Sequence, residues 1–558
     1  MKTRYIILLS AAAAATAASA QDLVKEIDVD RTIVPVERAV SRPDGPSAAI
    51  FTPAVKPVEL SAADRYTPSV LTALATAPAP ALWGSTQPLT PYRGYVSGGY
   101  LPVYNLGLTA GYQFISDPAS QLGAWGMYTG DSYKYSGDKY NNHFLGLGAR
   151  GSHIFGNGAA LRADLTYRHD SFTTPYVDDN KQSASIVDFH SAYTGNSTLA
   201  LYTVAADVLH FSFGDALTSV SGVHGDAMRQ TQVKVGGGAT FNIPDLTVLR
   251  PGADVSFDVL MSNNSPKVTA SGLATGDVTY GIVRFDPYAL IKAGEFEGRV
   301  GVNFSFGVCD YSTIRVSPGL RLAYNPAHLP VNVWATIEGG MEQNRIYDLY
   351  ERDYTCTPPF ALKPYNIPVA FRTGINVSPL ANFRAGVRFG YAVTRDMAVP
   401  WYNVDVVPGM TTERKLDGMN FGIDLSYTHP LFTARAGYEA ATSSKTDPAK
   451  GWYLWRDRAN SSVTAAVDVR PLDRLTVTVS YLGRYGRHTF APTTDTSLPW
   501  VKISTRDISS LNLGARYEFS PSLSFFANVE NILNHRYCFS SGVPAQGVTG
   551  LLGAQYKF

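Results

Sequence analysis

Charged side chains are scarce in this sequence, making up 17% of its 558 residues. Soluble domains carry about 25%. Positive and negative charges also nearly cancel, leaving a formal net charge of +1. Because a nucleic-acid-binding surface needs a clear excess of basic residues, we expect no nucleic-acid partner.

Long apolar runs are missing after residue 20, and so are the short motifs that mark catalytic sites. No run of about 18 apolar residues follows, which excludes a transmembrane helix. The ten His residues show no H-E-x-x-H or paired-ligand spacing, and no nucleophile elbow occurs. The G-x-G-x-x-G match at residues 146–151 falls inside an alternating strand, not at the strand-to-helix turn of a nucleotide site. We therefore predict no metal, no cofactor and no enzymatic activity.

Cysteine is also rare, with residues at 309, 356 and 538 only. All three fall in predicted extracellular loops, where disulfides can persist. Cys309 and Cys356 belong to loops one strand pair apart, which favours a Cys309–Cys356 bridge. Three unpaired thiols are the alternative.

The N-terminus has the pattern of a secretory signal peptide over residues 1–20. A basic start precedes the apolar stretch Tyr5–Ala15, and the small residues Ala18 and Ala20 form a cleavage site. The mature chain would begin at Gln21. An uncleaved anchor helix is the alternative, but the stretch is short for a membrane span.

Residues 21–91 are Pro-rich and lack sustained periodicity, which indicates a periplasmic extension or a plain disordered tail. From residue 92 to the end, apolar and polar residues alternate with the period of two that is typical of strands. The final strand shows this best, because apolar side chains occupy every second position up to the last residue. These positions are Leu552, Ala554, Tyr556 and Phe558.

A chain that stops on an alternating strand ending in Phe is typical of outer-membrane barrels, although a soluble sandwich shares the same period. The content of 33 Tyr and 26 Phe residues suits strands that face lipid. We predict an all-β, transmembrane antiparallel β-barrel over residues 92–558, in the outer membrane of a Gram-negative cell.

Proline-containing turns recur between alternating runs and set the strand count. The turns lie at Ser378–Leu380, His429–Leu431, Arg470–Leu472 and Ser520–Ser522, with a longer one at Asn325–Pro326. Each interval holds a strand, a longer polar loop and a returning strand. This pattern predicts about 22 strands, beginning at residues 331, 365 and 453 among others, and places both ends of the barrel in the periplasm.

Charged residues fall on the strand face that is predicted to line the lumen, and arginine dominates among them. The candidate lining arginines are Arg162, Arg168, Arg299, Arg315, Arg321, Arg384, Arg388, Arg435 and Arg516. Such a lining could attract anionic solutes or an acidic partner. The alternative is a solvated interior stabilised by cross-strand ion pairs.

The C-terminal hairpins carry a family resemblance. Residues 512–519 (NLGARYEF) and 526–537 (FANVENILNHRY) resemble the last hairpins of TonB-dependent receptors. The resemblance implies a 22-stranded outer-membrane barrel with a transport function. Members of that family also have an N-terminal plug domain and a TonB-contacting box. Residues 21–91 are too few for such a plug, so engagement of TonB stays uncertain.

Two functions follow from this reading. The first is transport of an unknown solute or polymer across the outer membrane. The second is a plugless structural subunit of a secretion, assembly or surface-lipoprotein complex. Expected partners are outer-membrane lipid and, as candidates, a surface lipoprotein or a periplasmic protein. Since a barrel this wide would otherwise be an open hole, the N-terminal segment, an inward-folded loop or a partner must occlude it.

Overall fold

The computed structural model describes residues 92–558, except 102–104, 174–180, 215–228, 244–247, 270–271, 353–361, 381, 401–409, 414–415, 444–458, 493–499 and 541–542. The predicted signal peptide, with its site at Ala18, Ala20 and Gln21, and the Pro-rich extension lie outside the described residues and stay predictions.

The described chain consists almost entirely of strands, with a single short helix. Its elements are β1 (Gly94–Leu101), β2 (Asn105–Ser116), β3 (Ser120–Tyr135), β4 (Asp138–Ile154), β5 (Ala160–Thr173), β6 (Lys181–Asn196), β7 (Ala200–Phe213), β8 (Arg229–Phe241), β9 (Leu249–Thr269), β10 (Gly272–Ala293), β11 (Phe296–Cys309), β12 (Thr313–Tyr324), β13 (Val331–Glu342), α1 (Ile346–Arg352), β14 (Tyr365–Leu380), β15 (Phe383–Arg395), β16 (Met397–Pro400), β17 (Met410–Glu413), β18 (Leu416–His429), β19 (Phe432–Ser443), β20 (Ser461–Leu472), β21 (Leu475–Tyr485), β22 (His488–Pro492), β23 (Trp500–Ser504), β24 (Ile508–Glu518), β25 (Leu523–Glu530), β26 (Cys538–Ser540), β27 (Val543–Pro544) and β28 (Thr549–Lys557).

Twenty-two of these strands form one closed antiparallel sheet. Each strand pairs with the next one along the chain, apart from the small hairpins β16–β17, β22–β23 and β26–β27. The last strand, β28, pairs with the first, β1, which closes the barrel. The predicted class and the predicted number of strands are therefore confirmed.

The barrel closes at a seam where the two ends of the described chain meet. The carbonyl oxygen of Phe558 accepts hydrogen bonds from the backbone N–H groups of Arg93 and Gly94, both at 2.8 Å. A Cβ atom at Gly553 would lie 2.3 Å from the carbonyl oxygen of Gly98. A side chain at this position would clash with the backbone of β1, so glycine is required there.

The two ends of the barrel differ in their connections. One end, here called the turn end, carries Arg93, Phe558 and ten short connections of two to seven residues, such as 117–119 and 430–431. All five Pro-containing turns predicted from the sequence lie at this end. The other end, the loop end, carries the small hairpins and the connection that holds α1.

The wall has two faces because successive side chains of a strand point to opposite sides. One face carries a belt of exposed apolar residues, including Leu165, Val204, Phe257 and Val316. In a closed barrel this belt is the lipid-contacting outer face, and the opposite, largely polar face lines the lumen as the inner face. Among the described residues, no helix is long and apolar enough to span a membrane.

Candidate functional site

The connection between β13 and β14 enters the barrel. Residues 343–352, here called the inner segment, leave β13 and follow the inner face of the wall past β10, β9, β8 and β7 to β5. The segment therefore extends over a large part of the lumen wall close to the loop end. An inward-folded loop was one of the three occluding elements considered from the sequence.

The second half of the inner segment is the helix α1, whose local sequence favours this form. Ile346, Leu349 and Tyr350 are spaced so that they share one face, while Asp348 lies in the first turn. All three apolar side chains are buried. The first backbone N–H group of the helix, at Ile346, donates to the side-chain oxygen of Gln230 at 2.8 Å. This bond satisfies a donor that a helix N-terminus leaves without a partner.

Polar side chains attach the first half of the segment to β8, β9 and β10. Gln343 donates to the backbone oxygens of Tyr280 (3.1 Å) and Asp258 (3.4 Å). Arg345 donates to the side chain of Gln232 at 3.1 Å and forms an ion pair with Asp348 at 2.5 Å. These bonds tie the loop to strands more than 60 residues earlier in the chain, so they fix a non-local contact.

Aromatic packing attaches the second half. The ring of Tyr350 lies 5.3 Å from that of Phe211, 6.0 Å from Phe213 and 6.3 Å from Phe172. These phenylalanines lie on the inner face of β5 and β7, where an uncovered apolar patch would contact water. The segment buries them. Fully burying one such side chain stabilises the closed arrangement by roughly 1.5–3 kcal/mol.

Hydrogen-bonded charges complete the attachment at β5. The Tyr350 hydroxyl donates to Asp170 at 2.5 Å, and Asp170 also forms an ion pair with Arg168 at 2.6 Å. Arg168 in turn forms an ion pair with Glu351 of the segment. Burial raises the pKa of the Tyr350 phenol well above its ordinary value. The hydroxyl thus keeps its proton at neutral pH and remains a donor.

A buried polar network on the wall lies next to the start of the segment. Asp258 accepts a hydrogen bond from Gln232 at 2.7 Å, and Lys234 is buried beside it. Arg284 bonds to the backbone oxygen of Met341 and forms an ion pair with Glu342 at 3.1 Å. Buried charges are tolerated when they are paired in this way, and removing one partner is costly. The network ties Met341 and Glu342, the last residues of β13, to β10.

The connection between β25 and β28 also folds into the barrel. The Tyr133 hydroxyl of β3 donates to the backbone oxygen of Pro544 at 2.6 Å. Tyr537 and Ala545 from the β25–β28 connection form a small buried cluster with Ile508. The inner segment is therefore accompanied by a second inward-folded loop on another part of the wall.

We expect Tyr350→Phe to loosen the inner segment without unfolding the barrel. Loss of a hydrogen bond to a buried carboxylate costs about 1.5–3 kcal/mol. Amide hydrogen exchange in residues 343–352 should then be at least tenfold faster. The matched control is Tyr167→Phe, which removes a phenol from the outer face of β5, the strand that carries Asp170. Equal exchange in both variants would show that the hydroxyl does not hold the segment.

The nine arginines proposed from the sequence share the inner face but do not form one cluster. Arg299 pairs with Asp254 at 2.6 Å and Arg321 with Glu338 at 2.5 Å. The other contacts are Arg168 with Asp170 and Glu351, Arg388 with Asp424 at 2.8 Å, Arg435 with Asp468, Arg516 with the Ser524 hydroxyl at 3.3 Å, and Arg315 with the backbone oxygen of Ile314 at 3.0 Å. Within the described part of the chain, Arg162 and Arg384 form no ion pair.

These contacts favour an interior stabilised by cross-strand ion pairs over a lining that attracts anionic solutes. Five of the nine arginines form ion pairs with carboxylates, mostly across neighbouring strands. Arg299 additionally lies over the Tyr288 ring, 3.6 Å from its centroid. Paired charges cancel at a distance and produce a polar lining with a weak net field.

The cysteine bridge stays a prediction. Cys309 ends β11 at the loop end and is exposed, whereas Cys356 lies outside the described residues. Across the described ranges, no group of three His, Cys, Asp or Glu side chains could hold a metal ion.

No protein-family model and no curated protein matches the sequence. Solved structures do match. The siderophore receptor PirA from Acinetobacter baumannii aligns with 84% of this chain and 80% of its own, at 12% identity and a TM-score of 0.63. This chain has the barrel fold of siderophore receptors. The resemblance to TonB-dependent receptor barrels is confirmed at the level of the fold.

Two further structures support the same assignment. The FrpB iron transporter from Neisseria meningitidis is 13% identical, with 84% and 81% of the two chains covered and a TM-score of 0.63. The ferric-catecholate import receptor Fiu from E. coli K12 is 11% identical, with 85% and 83% covered and a TM-score of 0.59.

The inner segment is the feature that sequence reasoning did not locate. The signal that could have found it is the helical spacing of Ile346, Leu349 and Tyr350 inside a predicted extracellular loop. Such a loop needs no apolar face unless something covers it.

Proposed function

We propose that the chain is an outer-membrane transport barrel that moves a solute through its lumen, with the inner segment as the constriction. The observation that carries this proposal is the inner segment itself, attached to the lumen wall of a barrel that has the fold of siderophore receptors. The proposal leaves the identity of the solute open.

The lining supports passage of a polar solute. Ion pairs such as Arg321–Glu338 and Arg388–Asp424 line the inner face. Paired charges offer hydrogen bonds to a passing molecule without binding an ion of one sign too tightly to release it. The fold neighbours are named as receptors and transporters, which favours transport over enzymatic activity.

The inner segment takes the part that a plug domain has in the TonB-dependent family. The described residues contain no plug domain, whereas residues 343–352 contact five strands of the wall. Their attachment combines an aromatic cluster with hydrogen-bonded ion pairs. Because each of these contacts is non-covalent and individually worth a few kcal/mol, the segment can open transiently. We thus propose a constriction that opens thermally or on contact with solute.

The test is single-channel recording of the full-length protein in a planar bilayer. We expect brief, small openings from the protein with its segment in place, and longer openings from Tyr350→Phe. Liposome swelling with neutral sugars of increasing size then gives the size limit of the pore. Silence of the native protein and of every variant that releases the segment would reject transport.

A further inference from the structure

Ionisable side chains of alternating sign form a row across the inner face of six neighbouring strands, β4 to β9. Each member lies directly opposite the next in the register of the sheet, so neighbouring members are about 5 Å apart. In order along the wall, the members of this charge row are Arg150, Asp164, His190, Asp207, Lys234 and Asp258. The alternation is not general, because Arg299 and Arg321 lie opposite each other on β11 and β12.

The charge row rises from the turn end of the barrel towards the loop end. Arg150 lies four residues from the turn end of β4, and Asp258 lies nine residues from the turn end of β9. This slope is expected, because a line drawn straight across strands that tilt by about 40° climbs about 3 Å per strand. The row thus covers about 15 Å of the depth of the lumen.

Exposure to the lumen decreases along the charge row. The exposed fraction of the side chain falls from 46% at Arg150 to 22% at Asp207, and Lys234 and Asp258 are buried. The buried end lies at the inner segment, because Gln343 donates to the backbone oxygen of Asp258 at 3.4 Å. The row therefore begins on an exposed part of the wall and ends at the constriction.

Lys234 is a cation that has two acidic neighbours and a direct bond to neither. It lies opposite Asp207 of β7 on one side and opposite Asp258 of β9 on the other. The side chain is buried, yet within the described residues its ammonium group forms no direct ion pair. A buried charge without a direct partner is costly. This position therefore favours a ligand that brings a carboxylate.

His190 supplies the positive charge between two carboxylates. It lies opposite Asp164 of β5 and Asp207 of β7, and its Nδ1 atom bonds to the Asp207 carboxylate. Because an ionised carboxylate only accepts hydrogen bonds, Nδ1 carries a proton, and a second proton on Nε2 makes the ring cationic. The row then contains three successive pairs that each consist of a basic and an acidic side chain.

We propose that the charge row binds zwitterions, such as amino acids and short peptides, as they move along the lumen. This inference rests on the proposed transport function and names the class of solute. The ammonium group of the solute contacts an acidic member of the row, and its carboxylate contacts the neighbouring basic member. The two ends of one or two extended residues are roughly 3.5–7 Å apart. That range includes the strand spacing of about 4.8 Å.

The alternation also provides movement along the row. A shift by two strands, about 10 Å, gives the solute the same two contacts again, so equivalent sites follow one another. Several weak sites in series let a solute enter and leave, whereas a single strong site would retain it. A lining of one sign would attract one end of a zwitterion and repel the other, so only alternating charges serve both ends.

The test is liposome swelling by the full-length protein, with glycylglycine as the zwitterion and arabinose as a neutral solute of similar size. The native protein should admit glycylglycine roughly fivefold faster, a modest factor because exposed ion-pair contacts are individually weak. The double variant Arg150→Asp with Asp164→Arg keeps the ion pair and the net charge but breaks the alternation beside His190. It should lose the preference. The matched control is Arg435→Asp with Asp468→Arg, which inverts an ion pair of similar exposure outside the row.

A structural role of the ion pairs would not produce this pattern, because both double variants keep an ion pair. Heat-dependent gel mobility checks that both are folded. His190→Lys fixes a positive charge between the two carboxylates and should keep the preference, whereas His190→Gln should reduce it.

Equal rates for the two solutes in the native protein would overturn the inference and leave transport intact. The same holds if the preference survives in the row variant or disappears in the control as well. Absence of swelling with either solute, in the native protein and in every variant that releases the inner segment, would reject the proposed transport and the inference with it.

Discussion

Replacing residues 343–352 by a Gly–Ser segment of equal length should turn the barrel into a steadily open pore. We expect at least a tenfold rise in mean single-channel conductance. A barrel of this strand number encloses a lumen wide enough for an aqueous channel unless something fills it. The replacement keeps the length of the connection, so it removes the wall contacts of the segment without changing loop closure.

The wall should survive this change, because each strand is held by backbone hydrogen bonds to its two neighbours. The strands beneath the segment keep their pairing, which runs in unbroken register from β5 to β9 and shifts once between β9 and β10, at Gly276 and Val278. Heat-dependent gel mobility checks that the variant is folded. A double variant, Tyr350→Ala with Glu351→Ala, tests the same point with the chain otherwise intact, since it removes the aromatic and the ionic attachment together.

The control is the same Gly–Ser replacement in β22, residues 488–492, which belongs to a loop-end hairpin outside the 22-stranded sheet. Conductance in this control should match that of the native protein. If the segment replacement leaves conductance unchanged in a folded barrel, the constriction lies elsewhere, with the inward-folded connection around Pro544 as the next element to remove.

The barrel itself is predictable from the sequence because its signal is local. Alternation at residues 511–519 places Leu513 and Tyr517 on the outer face, and both are exposed there. The strands predicted to start at 331 and 365 begin at those residues. The strand predicted from 453 is observed from Ser461 onward, and residues 453–458 lie outside the described part of the chain.

The inner segment is not predictable in the same way, because its stability comes from residues far away in the chain. Tyr350 bonds to Asp170, 180 positions earlier, and Arg345 to Gln232, 113 positions earlier. A seven-residue helix is too short to be stable alone. Contacts with distant wall residues such as Phe211 and Phe213, on the inner face of β7, make the helix favourable. The alternation that predicts a strand does not say what covers its inner face.

Truncation at the C-terminus should have the second large effect, because the closing strand joins both ends of the sheet. β28 pairs with β25 on one side and with β1 on the other. Without residues 549–558, two strand edges would face lipid with unpaired backbone groups, each costing several kcal/mol. We expect at least a tenfold loss of folded barrel from the membrane fraction, measured by heat-dependent gel mobility.

Deletion of Phe558 alone should give a smaller loss by the same assay. Its backbone forms three hydrogen bonds at the seam, with Arg93 and Gly94, and its ring stacks on Tyr112 and on Tyr556, each at 6.2 Å. The matched control is Phe519→Ala, an exposed aromatic at the same turn end that lies outside the seam. Removing Phe519 deletes a lipid-facing ring and no strand pairing. If both variants accumulate equally, the seam does not limit assembly, and closure must depend on the internal pairing of Gly98 and Gly99 with β28.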